Sequence, residues 1–192
     1  MDRLKILESF QWVGRDLYNL GLITSHAGNI SLRCGEWIWI TRTGSMLGRL
    51  GPDDIVETPL SAGESAHPMA SMELPVHLAI YRATSAQAIL HAHPPSAVAL
   101  SLIDDTIVPA DSEGRYILGK VPVIVASNVV ASQEVADHAS SLLQAHRAVL
   151  VRGHGSFAAG GSLEEAFGIT TTLEASAKIL LLAKGAGWRP SQ

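Results

Sequence analysis

The chain has 192 residues, of which 47% are hydrophobic and 17% charged, and its formal net charge is −4. That length suits a single domain, residues 1–192, with a sizeable buried core. The acidic balance and the lack of a Lys/Arg run argue against a nucleic-acid partner, and no apolar run reads as long enough to cross a membrane.

The N-terminus, MDRLKILESF, is amphipathic and mixed in charge, unlike a signal peptide. Arg3 to Leu20 repeats apolar residues at helical spacing and predicts a helix, with Gly21 as its stop. Asn29 to Arg33 and Glu36 to Thr41 predict a hairpin turning at Gly35. TRTGSMLG is a glycine-punctuated loop, and IVET predicts a further strand. Ser71 to Ala83 predicts a helix with Ser71 as its cap and Glu73 and Pro75 in its first turn.

AILHAH then predicts a short strand closed by Pro94 and Pro95, followed by a helix from Ser96 to Leu102. Ile103 to Lys120 lacks periodicity and is expected to be a loop. VPVIVA predicts a strand, Ser132 to Ala145 a helix, and AVLVRG a strand that turns at HGSFAAGG and returns. A last helix begins at Ser162, carries Glu164 and Glu165 at its positive end, and stops at Gly185 and Gly187 before a short RPSQ tail. Mixed elements with partly hairpin-linked strands predict an α/β layered sandwich. Its central sheet is expected to be mixed, largely antiparallel and flanked by helices.

The chemistry concentrates in AILHAH. Strand side chains alternate between faces, so His91 and His93 share one face at the strand end. Two adjacent imidazoles need partners, and a divalent cation supplies one. His154, between glycines just after a strand, and Glu73 could complete such a site. Three imidazoles and a carboxylate favour zinc, with other first-row divalent metals open. A single buried histidine is more often a hydrogen-bonded core residue, so His26, His67, His77, His138 and His146 carry no ligand role. His77, four residues after Glu73, could share its helix face and support it.

HAGN and TRTG offer glycine-exposed amides with Asn29, Thr41 and Thr43, and a helix start at Ser71 offers more; together they could cradle a phosphate. Neither loop matches a dinucleotide or P-loop pattern. Lys5, Lys120, Lys178 and Lys184 are the only lysines, and none lies in an apolar strand where a Schiff-base amine belongs. No GxSxG is present. Cys34, the single cysteine, rules out an internal disulfide, suits the cytoplasm and has no obvious base beside it.

GNIS (28–31), TG (43–44), SxExxxH (71–77), HAHP (91–94) and HG (154–155) occur in one order across residues 3–186, and with them the chain resembles the class II aldolase/adducin family. The resemblance implies zinc held by His91, His93 and His154. Glu73 would be the acid/base and would also ligate zinc when no substrate is bound. A phosphate pocket would come from Gly28, Asn29, Thr43, Gly44 and Ser71. Zinc would act as a Lewis acid on a ketose 1-phosphate, stabilising the enediolate left when dihydroxyacetone phosphate and an aldehyde separate.

The resemblance also implies a homotetramer with sites at subunit interfaces. Tyr116, from a neighbouring subunit, would be the second acid/base. Two departures stand out. Met72 replaces a serine of the family's aldolases, and the family's C-terminal tail, with its substrate-covering tyrosine, is expected to be absent. A ribulose-5-phosphate 4-epimerase would carry aspartate at position 73. A dehydratase or decarboxylase shares the site, and an adducin-like interaction module would have lost the histidines that are intact here.

Overall fold

The computed structural model describes residues 2–61, 63 and 66–189. Of the tail expected at RPSQ, only Arg189 is among the described residues. Eight strands form one sheet in the order β3-β2-β1-β4-β8-β7-β6-β5. They are β1 (Asn29–Cys34), β2 (Trp37–Thr41), β3 (Ile55–Pro59), β4 (Ala88–Ala92), β5 (Thr106–Ile107), β6 (Val121–Ile124), β7 (Ala148–Val151) and β8 (Gly155–Gly160). Only β6 and β7 run parallel; every other neighbouring pair is antiparallel. The sheet is thus mixed and largely antiparallel, as the hairpin signals predict.

Among the described residues, six α-helices flank it: α1 (Arg3–Asn19), α2 (Leu74–Ala83), α3 (Pro95–Ser101), α4 (Ser112–Ile117), α5 (Gln133–Leu142) and α6 (Leu163–Gly185). One face of the sheet packs with α2 and α5 through Ile40, Val76, Ile80, Ile89, Val135, Val149 and Phe157. The other meets α1 through Phe10, Val13, Ile30, Leu32 and Leu90, and α3 and α6 through Ala97, Leu150, Ala158, Ile169 and Leu173. β4 lies near the middle, is buried along its whole length, and sends Ile89 and His91 to the α2/α5 face and Leu90 and Ala92 to the α1 face. That alternation puts His91 and His93 on the same side.

Three expectations change. The helix expected from Ser71 begins at Leu74, with Glu73 at the N-cap position and no side-chain cap. The Ser71 hydroxyl instead accepts the Glu73 N–H at 3.2 Å, and the Ser71 carbonyl accepts the Leu74 N–H at 2.9 Å. Ser71 therefore closes a local turn ahead of the helix and does not cap it. The expected loop Ile103–Lys120 contains β5 and α4. A two-residue strand has no pattern to read, and α4 is nucleated by Asp111, whose carboxylate accepts the Gly114 N–H at 2.7 Å.

The third change concerns α6. It is long enough, with a window of mean hydropathy 1.3, to cross a membrane by length and composition alone. Ile169, Leu173, Ala177 and Leu180 on it are buried in the core with residues of α3, β7 and β8, while Ile179 and Leu182 on the same helix are exposed, so the interior takes up part of its apolar surface.

Candidate active site

Nine of the ten residues that the family resemblance assigns to the site line one cavity of about 170 Å³: Gly28, Asn29, Thr43, Gly44, Ser71, Glu73, His91, His93 and His154. The tenth, Tyr116, stands on α4, is 91% exposed and does not line it. His26, Arg42, Ser45 and Met72 are also part of the wall.

The histidines converge because three chain segments meet. β4 pairs with β1 with Asn29 opposite His91, and with β8 with Phe157 opposite His91. The β7–β8 turn, with Gly153 at φ 68°, brings in His154. One donor nitrogen from each imidazole lies within 4.8 Å of the others, and each pair of ring centroids is 4.9 Å apart. Gly155 makes this packing feasible, since a Cβ there would stand 2.5 Å from the Ala92 carbonyl oxygen and 2.7 Å from His93 Cδ2. The glycines beside His154, read from the sequence, suggest close approach by a ligand; in the fold Gly155 makes room for two neighbouring imidazoles.

Contacts behind the rings set the donor atoms. His91 Nδ1 lies 3.0 Å from the Ser156 carbonyl, an acceptor, so it carries the proton and leaves the Nε2 lone pair facing His93. His93 Nε2 and His91 Nε2 are 3.0 Å apart. Zn–N bonds of about 2.0–2.1 Å at tetrahedral angles place two donors about 3.3 Å apart, so the pair needs little adjustment to share a cation. Burial depresses all three imidazoles: His91 well below its ordinary value, His93 to about 4, and His154 downward, with the neighbouring rings adding to the effect on His91 and His93. Near neutral pH they are uncharged and able to ligate. The Val129 backbone bonds the His154 ring and opposes part of the fall in its pKa. The donor set fits a divalent transition metal.

Glu73 lines the same cavity, and among the described residues its carboxylate lies outside the group of donor atoms within 4.8 Å of one another. Its Oε1 accepts the Ala131 N–H at 3.2 Å, and its Oε2 is buried without a partner. Ala131 adopts φ 51°, a left-handed conformation uncommon for a residue with a Cβ, at the point where its amide reaches the carboxylate. Burial raises the Glu73 pKa, and the Ala131 amide opposes part of that rise. A raised carboxylate with one free oxygen is suited to exchanging a proton.

At the opposite wall, Gly28 and Gly44 have φ of 81° and 76°. Side chains are excluded at Gly28, where a Cβ would meet the His91 carbonyl oxygen at 2.8 Å. The Thr43 hydroxyl donates to the Ala70 carbonyl at 2.8 Å, so it must turn before it can donate to an anion. The Ser71 amide donates to the Thr41 carbonyl, and the Glu73 and Leu74 amides donate to Ser71, which leaves fewer free donors there than a helix start promises. Met72 is 61% exposed at the rim, and its side chain brings no donor.

His77, which the sequence assigns to the core or to support of Glu73, is fully buried and bonds Asn29 and Ser31 instead. Its Nε2 lies 2.6 Å from Asn29 Oδ1, and its Nδ1 lies 2.6 Å from Ser31 Oγ. Phe157 lies edge-on to it and stacks on His91 at 4.3 Å between centroids. The four-residue offset from Glu73 is visible in the sequence, but the partners of His77 come from β1, which only the tertiary fold brings near.

Residues 8–181 match the family model for the class II aldolase and adducin N-terminal domain, and the chain belongs to that family. With its metal-competent histidine cluster and buried carboxylate, it is an enzyme of the aldolase or lyase type. The chain is similar to the L-fuculose-1-phosphate aldolase of Thermus thermophilus. The two structures superpose with a TM-score of 0.92 at 41% identity, covering 98% of this chain and 100% of the other. It is 30% identical over 179 residues to an L-fuculose phosphate aldolase of Methanocaldococcus jannaschii, covering 91% of this chain and 95% of that protein. It is also 33% identical over 182 residues to a methylthioribulose-1-phosphate dehydratase of Acidiphilium cryptum, covering 84% and 83% respectively.

Proposed function

We propose that the protein is a zinc-dependent aldolase that reversibly cleaves a ketose 1-phosphate resembling L-fuculose 1-phosphate to dihydroxyacetone phosphate and an aldehyde. The observation that carries this reading is the juxtaposition, in one cavity, of three neutral convergent imidazoles and a buried carboxylate with an unpartnered oxygen. A divalent cation held by His91, His93 and His154 would supply Lewis-acid stabilisation of the charge left by C–C cleavage. Another divalent transition metal would serve the same donor set.

Glu73 moves the proton at the carbon that bears the developing charge, with Oε2 free and Oε1 anchored by Ala131. Gly28, Asn29, Thr43, Gly44 and Ser71 hold the phosphate and thereby fix the reacting carbons relative to Glu73. Tyr116, exposed on α4, serves as the second acid/base of a neighbouring copy in a homotetramer; a tetrameric mass by light scattering is the expected result. The single free cysteine suits a cytoplasmic setting.

Glu73→Gln tests the assignment. Metal content should stay stoichiometric by elemental analysis, while turnover of L-fuculose 1-phosphate falls by about 10²–10⁴, the usual size of a general acid–base contribution. Retained turnover would sink it. The similarity to a dehydratase supports a second reading, elimination of water from a ketose 1-phosphate by the same groups. Release of an aldehyde, against release of a dehydrated phosphate ester, separates the two.

A further inference from the structure

Asn29 has a carboxamide with two ends, an acceptor oxygen and a donor NH2, and only the NH2 can bond an anion. Which end faces the cavity is decided behind it. His77, Ser31 and Tyr81 form a buried file: His77 Nε2 lies 2.6 Å from Asn29 Oδ1, Ser31 Oγ lies 2.6 Å from His77 Nδ1, and the Tyr81 hydroxyl lies 2.8 Å from Ser31 Oγ. All four residues are buried.

The proton order along this file has one arrangement that leaves no donor unused. Among the described residues, Ser31 Oγ is the oxygen within hydrogen-bond reach of the buried Tyr81 hydroxyl. The Tyr81 proton therefore goes to Ser31, the Ser31 proton to His77 Nδ1, and the single proton of the neutral imidazole sits on Nε2 and goes to Asn29 Oδ1. The reverse order would leave the buried Tyr81 O–H without an acceptor, an arrangement that folded proteins avoid. Burial holds the His77 pKa down to about 3, so the ring carries one N–H near neutral pH.

We infer that His77 is a positioning residue for oxyanion recognition: by occupying Asn29 Oδ1 from behind, it turns the Asn29 NH2 into the cavity to meet the phosphate of the substrate. The inference rests on the phosphate-pocket reading above. It assigns to His77, Ser31 and Tyr81 a role in affinity for the phosphoryl group, separate from the metal and from Glu73. Ser31 and Tyr81 do not line the cavity.

Ser31→Ala tests it most cleanly, because it removes the proton that fixes the imidazole tautomer and leaves the cavity wall in place. With the tautomer free, Asn29 can present its oxygen to the anion. The inhibition constant of inorganic phosphate and the KM for L-fuculose 1-phosphate should both rise about tenfold, as for loss of one hydrogen bond to a charged group. Turnover number and bound metal should stay within about twofold of the parent. His77→Leu should raise both constants at least as much, whereas His77→Gln, which can still donate to Asn29, should recover part of the loss.

In an Asn29→Ala background, Ser31→Ala should add nothing, since the group it positions is gone. If His77→Leu does not fold, the Ser31→Ala and Asn29→Ala pair still decides the matter. An unchanged phosphate inhibition constant in Ser31→Ala, or additive effects in the pair, would overturn the positioning role alone. A parent enzyme that neither binds inorganic phosphate nor turns over any sugar phosphate would overturn the functional reading with it.

Discussion

At the residue scale, the site depends on one atom that is missing. Gly155 carries no Cβ, and the space a Cβ would fill is taken by the Ala92 carbonyl and by the edges of His93 and His91. Gly155→Ala should push β8 away from β4 where the imidazoles meet and spread the donor set. The expected result is at least a tenfold weaker metal affinity by competition with a chelator, from a change that adds one methyl group to a packed site. Parent-like affinity would show that the strand pair relaxes without moving the rings. The histidines themselves are legible in the sequence, because HAH on a strand has one geometric meaning. The crowding at Gly155 is not, since the Cβ it forbids would clash with a strand more than sixty residues earlier.

At the scale of elements, the end of β4 must be held still for His93 to be useful. β4 ends at Ala92, His93 and Pro94 follow, and α3 begins at once with Pro95 in its first turn. Its N-terminal amides are satisfied from another element: the Glu174 carboxylate on α6 accepts the Ser96 N–H at 2.9 Å and the Ala97 N–H at 3.2 Å. A remote side chain thus does the work of a local cap, and it complements the helix dipole. Glu174→Ala should cost about 1–2 kcal/mol of stability, as for loss of a helix cap, and be visible in denaturant melts. A change within error would mean that water replaces the carboxylate without loss. Sequence periodicity locates α3 and α6, yet nothing in it pairs Glu174 with Ser96. α4 escapes for a different reason: its cap, Asp111, is local, but six residues are too few to show periodicity.

At the scale of the whole molecule, the buried histidines make stability depend on pH. Burial lowers the folded-state pKa of His77 to about 3 and that of His93 to about 4, below the ordinary imidazole value of about 6.5 kept by the unfolded chain. Below pH 6.5 the unfolded chain therefore binds more protons than the folded one. Stability is fully present above that pH and is lost as pH falls toward 3–4. The metal-free protein should lose on the order of a few kcal/mol between pH 7 and pH 4, measured by urea denaturation at each pH. A flat profile would mean that these imidazoles stay hydrated and protonatable in the fold.

The sequence alone determined the mixed, largely antiparallel sandwich, the strand that displays His91 and His93 together, and the small set of groups from which a site could be built. Local rules suffice for these: period-two alternation, helical spacing, and the punctuation by glycine and proline. The tertiary structure alone decided how those groups divide the work. It brought His154 to the pair across a strand turn, set Glu73 beside the imidazoles with Ala131 holding one oxygen, and gave His77 to Asn29. Each of these depends on contacts between residues far apart in the chain, and hydrogen-bond partnership over such distances is fixed only when the sheet and helices pack.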